Sequence, residues 1–587
     1  MTPHPDELLA AGMQLHQQGR LADAEKVYRH VLSLHAAHPH ALHLLGILAQ
    51  QVGRHEMAVE FFRRAIGSDG GVGEFHYNLG NSLLHLGRNG DAAVAFADAL
   101  AISPGLFEAH HNFANALMLD GQPGAAIAAY QSALRIRADD AAAHNNLGMA
   151  LREHARLDEA IEHFRHAVRI DPHYAHAHSN LLYALHFHPA YDAAAIADEQ
   201  RRWAEQHAEP VARAAPDRPH ENERSPDRRL RIGYVSPDFR EHPVGRAMLP
   251  LLEEHDANAF EIFCYADTSA DDEVARRLKR PAAAWHVTTG TGDEQLAKII
   301  RGHRIDILVD LTLHMNRNRL LVFARKRAPV QVSFIGYPAG TGVRQIVYRI
   351  TDAHLDPDDD LGPERLVRLP HSFWCYAGDA EPAVNELPAR AREHVTFGSL
   401  NNPVKMNDAV VALWSRVLDA LPTSRLRLFS GEKSPTIDHP LLRRFASEGV
   451  DPERIALVPR LLRGEYLRQY HMIDIALDTF PYNGHMTSCD ALWMGVPVVS
   501  LRGATSVGRG GVSLLSNLAL PDLLAATPDE FVRIATSLAS NLSRLSALRQ
   551  SLRSRMRESP LCDAGLFTRS VESAYREMWR AWALGVA

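Results

Sequence analysis

The sequence predicts a multidomain protein, an all-α superhelix of repeats followed by an α/β region of two Rossmann-like halves. Three observations carry this. Gly19, Gly53, Gly87 and Gly121 recur every 34 residues, with Ala155 next in the series. From Leu230 the pattern changes to short apolar, β-branched runs separated by helical stretches. Near His394 a second series of the same kind begins.

Composition narrows the function classes. A chain of 587 residues exceeds what one hydrophobic core serves and divides into roughly three or four domains. The formal charge of −7 is small for that size, so no whole-chain electrostatic grip on nucleic acid or anionic lipid is expected. Cys264, Cys375, Cys489 and Cys562 are widely separated and form no C-x-x-C pair. That argues against a disulfide framework or a cysteine zinc site, and for a reducing cytoplasm. The opening MTPHPDELLAAGMQLHQQGR lacks the basic start and apolar run of a signal peptide. No later run is long enough to span a membrane.

The repeat step is that of tetratricopeptide repeats. Ala24, Ala58, Ala92, Ala126 and Ala160 keep its register as small residues, and Tyr28, Phe62, Phe96, Tyr130 and Phe164 keep it as aromatics. Each repeat therefore reads as a helix pair in which glycine tightens the turn, alanine admits the neighbouring helix and the aromatic fills the space between pairs. Pro104 and Pro172 punctuate repeat ends. Asn78, Asn112, Asn146 and Asn180 form a further column, one in the first helix of each repeat. Their amides suit a clamp on the backbone of an extended peptide. Bonds between neighbouring repeats would keep the same period.

After helices through about Ala208 comes PVARAAPDRPHENERSPDRR, rich in proline and charge. We place the superhelix and its following helices at 1–209, a linker at 210–228, Rossmann-like halves at 229–392 and 393–558, and a C-terminal helix within 559–587. LRIGYV, FEIFCYAD, DILVDL, VQVSFIGY and VYRITD read as parallel strands of the first half; VTFGSL, RLRLFSG, RIALVP, DIALDTF and PVVSLRG read as those of the second. Two such domains across a cleft make the GT-B architecture, which alone names no reaction.

The densest constellation is DTFPYNGHMTSCDALWMGVPVVSLRG. A strand ends there in a Pro-Tyr-Asn-Gly turn, and His485, Met486, Thr487 and Ser488 open a helix. Unpaired backbone donors and the dipole at a helix start bind phosphate. Thr487 and Ser488 add hydroxyls, and Asp490 suits ribose hydroxyls. The same residues would also make an ordinary capping turn.

Wider context decides between these readings. SPDFREHPVG, DILVDLTLHMNRNR, RAPVQVSFIGYPAGTG, ITDAHLDP, LPHSFWCY, FGSLNNPVKMND and LDTFPYNGHMTSCDALWMGVPVV stand in the order found in the O-GlcNAc transferase, or SPINDLY-like, family. The chain resembles that family over nearly its whole length. The resemblance implies an inverting glycosyltransferase, independent of metal or other cofactor, that moves N-acetylglucosamine from UDP-GlcNAc to serine or threonine hydroxyls of proteins held by the repeat arm. It implies that Lys405 contacts the donor pyrophosphate, that His242 lies near the acceptor hydroxyl and sugar, and that His286 in AAAWHVTTG lies near the donor sugar. By the same resemblance Gly340 and Gly342 let the backbone approach the sugar, Asn402 joins the donor site, Arg463 lies near the ribose and Tyr466 stacks on uracil. Eukaryotic members carry lysine and histidine at those last two places, and GATSVGRGG also departs from the usual loop. His314 in TLHMNRN is a further candidate, in a loop where many relatives have glycine before the histidine.

Among 34 histidines there is no H-E-x-x-H pattern, so no metal site is expected. Expected partners are a UDP-sugar and acceptor proteins or peptides in the repeat groove, without nucleic acid or membrane. Two readings compete: a UDP-glucose-dependent relative acting even on asparagine, and an inactive protein-binding scaffold.

Overall fold

The computed structural model describes residues 4–215, 219–358, 362–380 and 382–585. It divides into two compact units, Met1–Leu151 with Glu432–Ser434, and Arg152–Gly431 with Pro435–Ala587.

The first unit is built of helix pairs, beginning Pro5–Gln17 with Leu21–Leu34 and Pro39–Gln51 with His55–Ser68. Its glycine period has a conformational cause. Gly19, Gly53, Gly87 and Gly121 have φ of +74°, +73°, +71° and +77°, the left-handed residue that closes the first helix of each pair and that glycine adopts without Cβ strain. A second column, Gly12, Gly46 and Gly80, serves packing instead. A Cβ there would lie 2.5, 2.5 and 2.6 Å from the rings of Tyr28, Phe62 and Phe96, so these glycines make room for the aromatic column.

The asparagine column reaches back one repeat at a time. Asn78 donates to His43 at 2.9 Å, Asn112 to Asn81 at 2.9 Å and Asn146 to Asn115 at 3.3 Å. The Asn112 amide nitrogen also reaches the Tyr77 hydroxyl at 3.4 Å and that of Asn146 also reaches His111 Nε2 at 3.3 Å, while the three side chains stay half-buried.

The second unit opens with Leu157–Ile170, Ala175–Leu185, Ala193–Trp203, a π-helical turn at Ala204–Ala208 and Glu209–Ala214. The stretch expected as linker from 210 therefore begins inside a helix, and its residues 216–218 lie outside the described residues. Leu182, Trp203 and Ala208 share one core with Val235, Phe263 and Tyr265 of the α/β body. That burial is why compactness changes at Arg152 and not at 209. Asn180 belongs to this unit and is only 3% exposed, which corrects its expected place on a peptide-facing surface. Ala155, the one non-glycine in the turn column, has φ +60°. Ala155→Gly should relieve that strain and raise stability by about 1 kcal/mol, read as a higher midpoint of thermal unfolding.

The α/β body holds two wholly parallel sheets. The first comprises β1 (Leu230–Ser236), β2 (Phe260–Ala266), β3 (Ala284–Val287), β4 (Ile307–Asp310), β5 (Val330–Ser333), β6 (Tyr348–Asp352) and β7 (Arg365–Leu369). The second comprises β8 (Thr396–Ser399), β9 (Arg425–Phe429), β10 (Ile455–Val458), β11 (Ile475–Leu477), β12 (Val498–Leu501) and β13 (Leu524–Ala525). Their orders are β3-β2-β1-β4-β5-β6-β7 and β10-β9-β8-β11-β12-β13. Each sheet reverses its winding next to its first strand, between β1 and β4 and between β8 and β11. Doubly wound sheets bind ligands outside the carboxyl ends of the strands at such switch points.

The last helix, Ala564–Ala583, returns to the first half: Glu572 meets His255 at 2.9 Å and Trp579 Nε1 donates to the Ser225 carbonyl at 3.0 Å. Among the described residues no helix is long and apolar enough to cross a membrane.

Candidate active site

Chain leaving β11 makes a turn whose shape is held from inside. The buried Asp478 carboxylate accepts from the backbone N–H of Gly484 at 2.6 Å and of Thr479 at 2.9 Å, and from the Ser500 hydroxyl at 2.6 Å. Gly484 is obligatory, because a Cβ there would stand 2.3 Å from Ser488 Oγ and 3.0 Å from Asn401. Helix Met486–Trp493 then starts at His485 with no side-chain cap on its backbone donors.

His485 lies between the rings of Trp374 and Tyr482, at 4.6 and 4.9 Å. Burial, helped by the Lys405 charge, holds its imidazole well below the ordinary range. Its Nε2 is 3.2 Å from the Val507 carbonyl, so that nitrogen carries the proton and Nδ1 is left as an acceptor.

Lys405 follows β8, the neighbour of β11. Its Nζ donates to the Asn483 carbonyl at 2.6 Å and sits 4.2 Å from the Tyr482 ring centroid. Burial pulls the ammonium below the usual lysine range, with Asp478 pulling the other way. A cation is thereby placed beside the helix start, where a diphosphate would restore its charge.

The amide facing that helix is one residue away from the one expected. Asn401 Oδ1 accepts from Thr487 Oγ1 at 2.6 Å, whereas Asn402 is exposed and caps its own turn through Val404 N–H at 3.1 Å. Ser488 is buried beneath Gly484, and Met486 packs partly into the core. Asp490 is 4% exposed and fully engaged: it accepts from the Tyr376 hydroxyl at 2.7 Å and from both terminal nitrogens of Arg463, at 2.8 and 2.5 Å. Arg463 also grips Asp379 at 2.9 Å. Burial opposes the Arg463 charge, but Asp490 outweighs it and raises its pKa. In this arrangement Asp490 serves first as the anchor of Arg463. Tyr466, with its hydroxyl 3.0 Å from that of Tyr470, extends the wall.

Across the cleft, His242 follows β1 and caps helix Pro243–Glu254. Its Nδ1 accepts from Val244 N–H at 3.3 Å and lies 3.6 Å from the Asp238 carboxylate. Burial lowers its pKa, against Asp238. A neutral imidazole whose Nδ1 accepts carries its proton on Nε2, so His242 presents a donor.

Other expected residues lie elsewhere. His286 stacks on Tyr265 at 5.5 Å and on His303 at 4.5 Å. His303 closes helix Asp293–Gly302, so the contacts of His286 are those of a packed ring, and the structure does not bring it to Lys405 or His485. His314 is fully buried between Ser179 Oγ, at 3.1 Å, and the Thr341 carbonyl, at 2.8 Å; both ring nitrogens are used in holding the loop after β5. In that loop Glu364 accepts from Thr341 N–H at 2.5 Å, Gly340 O accepts from Gln200 at 2.7 Å, and Gly342 has φ +72° with Gln200 2.9 Å from where its Cβ would be. Ile335 in the same loop has φ +62°, a left-handed β-branched residue of the kind that persists where surrounding structure imposes strain.

Residues that sequence reasoning passed over are Asp238, Asn401, Asp379 and Asp478. Only Asp238 had a local signal, four positions ahead of His242 in SPDFREHPVG.

Comparison with known proteins shows what the chain as a whole resembles. The model of glycosyl transferase family 41 matches residues 167–393 and 383–571, and tetratricopeptide repeat models match 9–73, 43–106 and 105–173. A tomato (Solanum lycopersicum) relative, described as a probable UDP-N-acetylglucosamine--peptide N-acetylglucosaminyltransferase SPINDLY, is 40% identical over 377 residues, covering 62% of this chain and 40% of the relative. An Arabidopsis thaliana relative, the probable transferase SEC, is 32% identical over 374 residues, covering 61% and 38%. The chain thus spans about two fifths of the length of these curated relatives. Among solved structures, a mutant of the Thermobaculum terrenum O-GlcNAc transferase superposes with a TM-score of 0.81 at 35% identity, covering 88% of this chain and 98% of that one.

Proposed function

Because this chain belongs to glycosyl transferase family 41, we propose that it moves N-acetylglucosamine from UDP-GlcNAc to serine or threonine hydroxyls of proteins, by a single inverting displacement. The observation that carries this reading is the meeting of Lys405 with the uncapped helix start at His485, at the switch point of the second sheet. The acceptor hydroxyl oxygen forms its bond to the anomeric carbon as the bond to the diphosphate oxygen breaks, and the hydroxyl proton is released to solvent or to the departing UDP. The charge appearing on UDP falls on Lys405 and the helix N–H groups. The chain brings its own cation to that charge, which is the basis for proposing metal independence. His242, donating from Nε2, orients substrate oxygen atoms, with Asp238 behind it. Nucleotide binding engages Arg463 and Tyr466; the half-buried asparagines of the repeats exchange their bonds to the preceding repeat for bonds to an acceptor backbone. Four free thiols suit a reducing, cytoplasmic setting.

The test is release of UDP by the purified chain from UDP-GlcNAc, beside UDP-glucose and a GDP-sugar, with and without chelator. Chelator-insensitive turnover preferring UDP-GlcNAc supports the proposal. Preference for UDP-glucose or for a GDP-sugar contradicts its donor, and absence of nucleotide binding favours a scaffold. Stacking by a tyrosine suits any base, so the nucleotide comparison is needed.

The lowered Lys405 pKa gives a second expectation. A bound diphosphate favours the ammonium, so the free pKa is the lower of the two. Affinity for UDP is full below the free pKa, falls as pH rises between the free and bound values, and binding takes up a proton in that window. Calorimetry in buffers of different ionisation enthalpy at mildly alkaline pH should register this uptake, and Lys405→Met should abolish it.

A further inference from the structure

A cavity of about 260 Å³ opens near the site, and no step above uses it. Its walls are mixed: Ile196 and Ala197 from helix Ala193–Trp203, Pro338 after β5, Leu355 after β6 and Val507 after β12 are apolar, and Gln200, Asp356, Ser506 and Arg509 are polar. His186 also lines it. That ring is 4% exposed, and neither nitrogen has a hydrogen-bond partner. A buried polar group left unpaired is costly and calls for an explanation.

Two of the charged groups around the cavity are held by the protein itself. The Asp356 carboxylate takes both terminal nitrogens of Arg349 at 3.1 Å and the Ser506 hydroxyl at 2.5 Å, and Arg509 donates to the His354 carbonyl at 2.8 Å. Deepest among the groups with no partner is His186, a neutral imidazole whose pKa burial holds near 4, with one donor and one acceptor to give; Asp358 stands exposed on the wall.

Position indicates what should enter. Along the second sheet the site residues run from Arg463 after β10, through Lys405 after β8 and His485 after β11, to the cavity wall after β12. The Val507 carbonyl that accepts from His485 belongs to that wall. The cavity therefore lies at the end of the cleft opposite the nucleotide residues, and inversion requires the acceptor to arrive from the side opposite the leaving UDP.

We infer that this cavity is an acceptor subsite that receives one neutral, hydrogen-bonding side chain of the polypeptide beside the accepting hydroxyl, with His186 as its partner. The inference rests on the transferase reading for its location. Its test is binding of labelled serine-containing peptides to the full chain with UDP present, followed by fluorescence anisotropy, with each flanking position varied among Ala, Thr, Asn, Gln, Glu and Lys.

At one position Thr, Asn or Gln should bind about ten-fold tighter than Ala, Glu or Lys. Ala197→Leu, which fills the cavity, and His186→Phe, which removes both ring nitrogens, should each abolish that preference. Ala193→Leu on the same wall repeats the test should either not fold, as judged by circular dichroism. A preference unchanged in the folded variants, or no discriminating position in the wild type, overturns the subsite. Sugar transfer from UDP-GlcNAc to the bound peptide is read separately: its absence beside an intact peptide preference would defeat the transferase reading and leave the cavity a peptide-binding subsite of a scaffold.

Discussion

Lys405→Met is expected to lower kcat about 10³-fold while weakening UDP binding by less than about ten-fold. The substitution keeps the length and apolar body of the side chain, so the contact with the Tyr482 ring is retained and only the charge and the bond to Asn483 O are lost. Ground-state binding still has the helix start at His485 and the Arg463 cluster. Leaving-group charge, which develops only as the glycosidic bond breaks, loses its nearest cation. Single-turnover kinetics beside calorimetric titration with UDP separates the two effects. An unchanged kcat beside a weakened UDP affinity would mean that Lys405 acts in binding alone.

Gly245→Ala is expected to damage both stability and turnover. A Cβ at this position would lie 2.2 Å from the Arg240 carbonyl oxygen and 2.7 Å from that of Asp238. Both obstacles are backbone, so relief requires the loop itself to move. Overpacking of this kind costs about 3 kcal/mol. The loop carries Asp238 and His242, and displacing a positioning group by about 1 Å costs on the order of 10²-fold in kcat/KM. Gly302→Ala, where a Cβ meets nothing within 4 Å, is the control and should change stability by less than about 0.5 kcal/mol. Thermal unfolding and kinetics on both variants check the pair. Wild-type behaviour of Gly245→Ala would show that the HPVG turn has slack this geometry denies.

The architecture was legible because its signals are periodic. The 34-residue step required a left-handed residue in every repeat, and the two runs of β-branched segments required parallel sheets. The neighbourhood of His485, Thr487 and Lys405 was legible because strand ends at a switch point converge whatever the side chains nearby. What stayed hidden turns on single-residue choices. β3 is a four-residue edge strand, and side chains alternate between faces along it. Trp285 turns to Phe239 at 5.4 Å, leaving His286 to Tyr265 and His303. No pattern in AAAWHVTTG selects that parity. Asn401 and Asn402 differ in the same way, one facing Thr487 and the other capping a turn. Asp490 sits in the first helical turn as its spacing predicts, but its partner Arg463 lies 27 positions away and is known only once the segments after β10 and β11 meet beyond the carboxyl ends of the sheet. The linker was misjudged at its start because Glu209–Ala214 remains helical despite its proline, which stands in the first turn where no N–H is needed.

The most direct test of the central claim is mass spectrometry of a serine-containing acceptor peptide after incubation with the purified chain, UDP-GlcNAc and chelator, with fragmentation that locates the modification. The expected result is one added N-acetylhexosamine on a serine or threonine, absent with Lys405→Met. Modification on asparagine, addition of hexose from UDP-glucose in preference, or an unmodified peptide under conditions where UDP-GlcNAc is consumed would contradict it.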